Sequence, residues 1–117
     1  GYYDDYYLKA LKVRSMIKSE FGKIFGRFDA LITPTSPTVA FELGSKTENP
    51  VTMYRSDFCT IPVNIAGIPS MSVPCGFSHG LPIGMQLIGK ALSEDTLIRI
   101  GYTYQQLTDW HCLQPNL

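Results

Sequence analysis

The sequence has 117 residues, ten of them Lys or Arg and ten Asp or Glu. A chain of this size is one domain at most and buries about two-thirds of its unfolded surface. Its balanced charge leaves no electrostatic footprint for nucleic acid or a membrane surface.

Every apolar run is short and interrupted by Pro, Gly, Asn or charge, so none reaches the length of a bilayer span. Cys59, Cys75 and Cys112 are odd in number and form no C-x-x-C pair. Small buried hydrophobes and reduced thiols of a soluble, cytoplasmic protein are expected. Gly1 runs straight into Tyr2-Tyr3-Asp4-Asp5 with no leader, which suggests a piece of something longer.

From Asp4 to Phe28, Ala10, Val13, Ile17, Phe21, Ile24 and Phe28 recur at spacings of three and four, with basic residues on the other face. This pattern predicts one long amphipathic helix. Asp4 and Asp5 at its start and Lys23 and Arg27 at its end suit the helix dipole, and Gly22 and Gly26 weaken its last turns. Tyr2, Tyr3, Tyr6 and Tyr7 are interleaved with acids, so packing of the helix start against a neighbour is expected rather than base stacking.

Residues 29–34 (DALITP) are too short for a helix and stop at a proline, which predicts a buried strand. Residues 35–50 lack periodicity and carry Pro37, Gly44 and Pro50, which predicts a surface excursion. From Met53 to Ala66 a short helix is expected, followed by a helix or turn in which Pro62 occupies a first turn. Residues 70–74 and 83–88 alternate as strands, and the short link 77–81 makes the pair an antiparallel hairpin. Ser93, followed by Glu94 and Asp95, is expected to cap a final helix with Leu97, Ile100, Tyr104 and Leu107 on one stripe, running to about Trp110.

The two imidazoles, His79 and His111, fall in the hairpin link and near the end of the chain, and both are expected to be solvated. The cysteines and histidines show no zinc spacing, and no phosphate-binding glycine motif occurs. Asp57 is the one acid in a stretch of Ser, Thr, Pro, Asn and apolar residues. By residue physics alone it caps the turn through Phe58-Cys59-Thr60, or it pairs with a cationic group of a substrate.

Three ordered blocks carry a resemblance. Thr60-Ile61-Pro62-Val63-Asn64-Ile65-Ala66-Gly67-Ile68-Pro69, Leu81 to Gly89 (LPIGMQLIG) and Asp29 to Pro37 (DALITPTSP) resemble the amidase-signature enzymes. Two more, the tyrosine-rich opening helix and Met53 to Thr60 (MYRSDFCT), are similar to one branch of that family, the A subunits of glutamyl-tRNA(Gln)/aspartyl-tRNA(Asn) amidotransferases. The resemblance covers essentially the whole chain.

It implies an α/β fold: the carboxy-terminal portion of the α/β/α sandwich, a mixed sheet flanked by helices, with residues 1–117 a fragment of a single domain. It implies a full-length protein that hydrolyses glutamine through a serine, a cis-serine and a lysine, and supplies ammonia for the conversion of Glu-tRNA(Gln) to Gln-tRNA(Gln) or of Asp-tRNA(Asn) to Asn-tRNA(Asn). Nothing here matches the G-G-S-S-G-G run of that chemistry, so no catalytic residue is assigned and the chain alone is expected to be inactive. The acid of the Tyr-x-x-Asp block is Asp57, and the resemblance implies that it holds the α-ammonium of glutamine. Implied partners are the B and C subunits, and mischarged tRNA through the B subunit. ATP and Mg would be used by the partner subunit, with no cofactor or metal in this chain. The alternatives are the end of a stand-alone amidase and a non-catalytic assembly module.

Overall fold

The computed structural model describes residues 1–45 and 50–115. In chain order the elements are α1 (Tyr2–Phe25), β1 (Ala30–Pro34), α2 (Pro50–Ser56), α3 (Ile61–Ala66), β2 (Ser70–Ser78), β3 (Leu81–Gly89) and α4 (Glu94–Leu107), followed by a 3-10 turn at Trp110–Cys112. The α/β class expected from the sequence is the one adopted. Residues 46–49 of the expected excursion lie outside the described residues.

β3 is the middle strand of three, with β1 on one side and β2 on the other, both antiparallel to it. The hairpin link is tighter than the expected 77–81. The strands continue to Ser78 and from Leu81, leaving His79 and Gly80 at φ 52° and 77°. Two successive positive φ values make the turn whose twist matches the flanking strands. A bulge between Pro74 and Gly76 places one extra residue, Cys75, in β2.

Strand alternation divides the sheet into two faces. Met71, Val73, Met85, Leu87 and Ala30 lie under α4, which contributes Leu97, Ile100 and Tyr104 to the same cluster. Val73, Leu87 and Leu97 are its buried centre. Gly101 brings the α4 backbone close to the sheet, since a Cβ there would meet Met71 Cε at 3.1 Å. Leu107, expected on the same stripe, is 79% exposed and takes no part in that cluster. Ser93 is buried, but its hydroxyl does not cap α4. It donates to the Lys90 carbonyl at 2.7 Å and closes the preceding turn instead.

The opposite face carries Leu31, Thr33, Ser72, Gln86 and Ile88, and the turn leading into α3 reaches it where the Cys59 carbonyl meets Gln86. Pro62 occupies the first turn of α3, where its missing N–H is not needed. Gly67 ends the helix in the left-handed region (φ 66°) and donates to the carbonyls of Val63 and Asn64. The Asn-x-x-Gly-x-Pro run is thus, in structural terms, one short helix with its stop signal.

α1 packs on α3 through its second half. Ile17, Phe21 and Phe25 are half-buried, whereas Val13, Ile24 and Phe28 of the expected stripe are exposed. The helix closes at Gly26, one of the two glycines expected to weaken its last turns, so Phe28 of the apolar stripe lies beyond it. Its first half extends beyond α3, so the expected packing of the tyrosines is not found among the described residues. Tyr2, Tyr3, Tyr6 and Tyr7 are 58–81% exposed. Tyr2 and Tyr6 meet each other edge to face, with centroids 4.8 Å apart.

The molecule is a plate of 54 × 41 × 16 Å with a radius of gyration of 17.0 Å, against about 13 Å for a compact domain of this length. Among the described residues, Val63, Ala66, Val73, Leu87, Ile88 and Leu97 are the fully buried hydrophobics.

Candidate functional site

Asp57 sits in the turn that joins α2 to α3. Its backbone is tightly held: the Asp57 carbonyl accepts from the amides of Thr60 and Ile61, both at 3.0 Å, and from Thr60 Oγ1 at 3.1 Å. The residue at the N-cap of α3 is Thr60, and no side chain caps that helix. The cap reading of Asp57 is therefore corrected: the carbonyl closes the turn, and the carboxylate stands exposed with no hydrogen-bond or ion-pair partner among the described residues. The ion pairs Gly1 to Asp4, Lys23 to Glu20 and Arg99 to Asp95 are surface pairs elsewhere on the molecule. A carboxylate on a fixed turn with no internal cation can accept an ammonium or guanidinium from outside.

The turn is anchored to the sheet by one side chain. Gln86, in the middle of β3 and 2% exposed, donates from Nε2 to the Cys59 carbonyl at 3.0 Å and to Thr33 Oγ1 at 2.9 Å. Beside it on the same face, Thr35 Oγ1 and Ser72 Oγ are 2.7 Å apart. Gly84 leaves the room for that contact, since a Cβ there would lie 2.6 Å from Ser72 Oγ. By alternation alone Gln86 is no more than the polar phase of a strand. The signal that could have singled it out is an amide flanked by apolar residues in a strand buried on both faces.

A separate open cleft of about 820 Å³ lies at the hairpin end of the sheet, between residues 34–41 and the strands, and Asp57 is not among its lining residues. His79 lines it, with Nδ1 3.0 Å from Ser78 Oγ. Among the described residues no acid orients that imidazole, so the pair lacks the third member that nucleophilic catalysis requires. His79 and His111 are both exposed, as expected. Cys59 and Cys75 are half-buried and Cys112 is exposed, so the expectation of small buried cysteines does not hold. All three are free thiols. No group of three metal-ligating side chains occurs among the described residues, and no helix among them is long and apolar enough to cross a membrane.

Residues 1–98 match the Amidase family. Over its full length the chain is 59% identical to a glutamyl-tRNA(Gln) amidotransferase A subunit of Clostridium acetobutylicum, of which it spans 24%. The crystal structure of the glutamyl-tRNA(Gln) amidotransferase A subunit from Thermotoga maritima superposes with a TM-score of 0.78 at 45% identity, covering 84% of this chain and 22% of that one. A bacterial aryl acylamidase of the amidase-signature enzymes superposes with a TM-score of 0.69 at 28% identity, covering 83% of this chain and 22% of that one. The chain thus spans about a quarter of the length of the curated relatives it matches. The glycines, prolines and buried amide that set its turns and strand contacts fall within the matched residues, and the chain belongs to the amidase family.

Proposed function

We propose that the chain is the carboxy-terminal part of the single amidase domain of a glutamine-hydrolysing A subunit in a tRNA-dependent amidotransferase. The observation that carries this reading is the gap in identity: 59% to an amidotransferase A subunit over the whole chain, against 28% to a hydrolase of the same fold. A plate with so few fully buried side chains and an uncovered tyrosine-rich helix fits a layer within a larger domain.

In this reading the serine, cis-serine and lysine that attack the amide lie outside the 117 residues. These residues complete the fold and supply Asp57, which pairs with the α-ammonium of glutamine. Released ammonia passes to the B subunit, which activates the mischarged tRNA with ATP and Mg while the C subunit completes the complex in the cytoplasm. Asp57 suits its role because its turn is rigid and its carboxylate has no competing partner among the described residues. Asp57→Asn in the full-length enzyme tests the reading. A raised glutamine KM supports it, and an unchanged KM with unchanged discrimination against asparagine overturns it.

A further inference from the structure

Gln86 is the buried link between the central strand and the turn that presents Asp57. A primary amide has two N–H donors, and the Nε2 atom of Gln86 makes two bonds: one to the Cys59 carbonyl inside the turn, the other to Thr33 Oγ1 on β1. With Gln86 only 2% exposed, water is poorly placed to replace either bond. The turn itself is closed by the hydrogen bonds to the Asp57 carbonyl, so it moves as a unit. Fixing Cys59 therefore fixes the direction in which Asp57, two residues earlier, projects.

We infer that Gln86 is a positioning residue for recognition of the substrate's α-ammonium, acting through the Cys59 carbonyl on the Asp57 carboxylate. This rests on the reading that Asp57 pairs with that ammonium. Gln86 touches no substrate atom in this scheme. Its effect is to limit the carboxylate to one orientation, so that binding does not have to order the turn. Losing the tether weakens recognition of glutamine more than hydrolysis of an amide that lacks an α-ammonium.

The test uses the full-length subunit in its complex, with glutamine and a simple aliphatic amide as competing substrates. Gln86→Met keeps the length of the side chain and removes both donors. It is expected to raise the glutamine KM roughly fivefold while changing kcat less than about twofold, and to lower the preference for glutamine over the simple amide by a similar factor. Combined with Asp57→Asn it is expected to add little, because both changes act on one contact. If Asp57→Asn raises KM and Gln86→Met does not, or if Gln86→Met lowers both activities equally, the positioning inference is overturned and the Asp57 reading stands. If Asp57→Asn leaves KM unchanged, the Asp57 reading fails and the inference fails with it. Should Gln86→Met not fold, Thr33→Val removes the second anchor of the same amide. A KM increase of about two- to threefold then supports the inference, and an unchanged KM overturns it.

Discussion

Gly84, opposite Pro74 in the β2–β3 register, lies diagonally across from Ser72 so closely that a methyl group on Gly84 would stand 2.6 Å from Ser72 Oγ and 2.8 Å from Thr35 Oγ1. To admit it, Ser72 must turn away and give up its hydrogen bond to Thr35. Gly84→Ala is therefore expected to destabilise the protein by about 1–3 kcal/mol, read as a lower Tm or an earlier denaturant midpoint. Adding Ser72→Ala should recover part of the loss.

Gly101 gives the opposite expectation. Its nearest obstacle is the terminal methyl of Met71, at 3.1 Å from a built Cβ, and a methionine end can swing aside. Gly101→Ala gains up to about 1 kcal/mol of helix propensity, so thermal unfolding should show an unchanged or higher Tm. A bulkier Gly101→Leu should lower it.

Leu97 is the residue of α4 buried against Val73 and Leu87. Leu97→Ala opens a cavity where helix meets sheet and is expected to lose about 2–5 kcal/mol. Denaturant unfolding measures it, and Leu107→Ala, at an exposed position, is the control expected to change little.

If Asp57 holds the α-ammonium of glutamine as proposed, Asp57→Asn removes the charge from a contact of the charge-assisted kind, worth about 1.5–3 kcal/mol. That corresponds to a rise in glutamine KM of roughly 10- to 150-fold, measured by steady-state glutaminase assays on the full-length protein, with kcat much less affected.

The Tyr2 hydroxyl donates to the Tyr6 hydroxyl at 3.1 Å, and this bond, with a smaller desolvation effect, raises the Tyr2 pKa above its ordinary value. Donation is possible only from the protonated phenol, so the contact is intact below the ordinary tyrosine range and is lost as pH rises through the raised value. In a spectroscopic titration, Tyr6→Phe should bring Tyr2 ionisation down toward its ordinary range.

Much of this architecture was legible in the residues. Apolar spacing located α1, the alternation at 70–74 and 83–88 located the hairpin strands, and Pro62 placed the start of α3. The tight turn escaped because it needs His79 at φ 52°, a conformation that composition does not announce. The cap at Ser93 misled because a serine hydroxyl can close its own turn as readily as a helix, and here the Lys90 carbonyl is the acceptor it takes. Val13, Ile24 and Leu107 have the right period but remain exposed, since periodicity cannot report what a face will meet. For the candidate site, sequence pointed to Asp57 but not to Gln86, whose importance comes from partners 27 and 53 positions away.

The strand order also carries an order in time. β2 and β3 are adjacent in sequence and meet across two residues, whereas each β1 pairing joins positions about fifty to sixty residues apart. Loop-closure entropy favours the short closure, so the hairpin forms before β1 docks. The second anchor of Gln86, on Thr33, arrives with β1. The amide that steadies the Asp57 turn thus makes both of its bonds only after β1 has joined the hairpin, so the geometry of that turn is the last feature of this three-stranded sheet to be fixed.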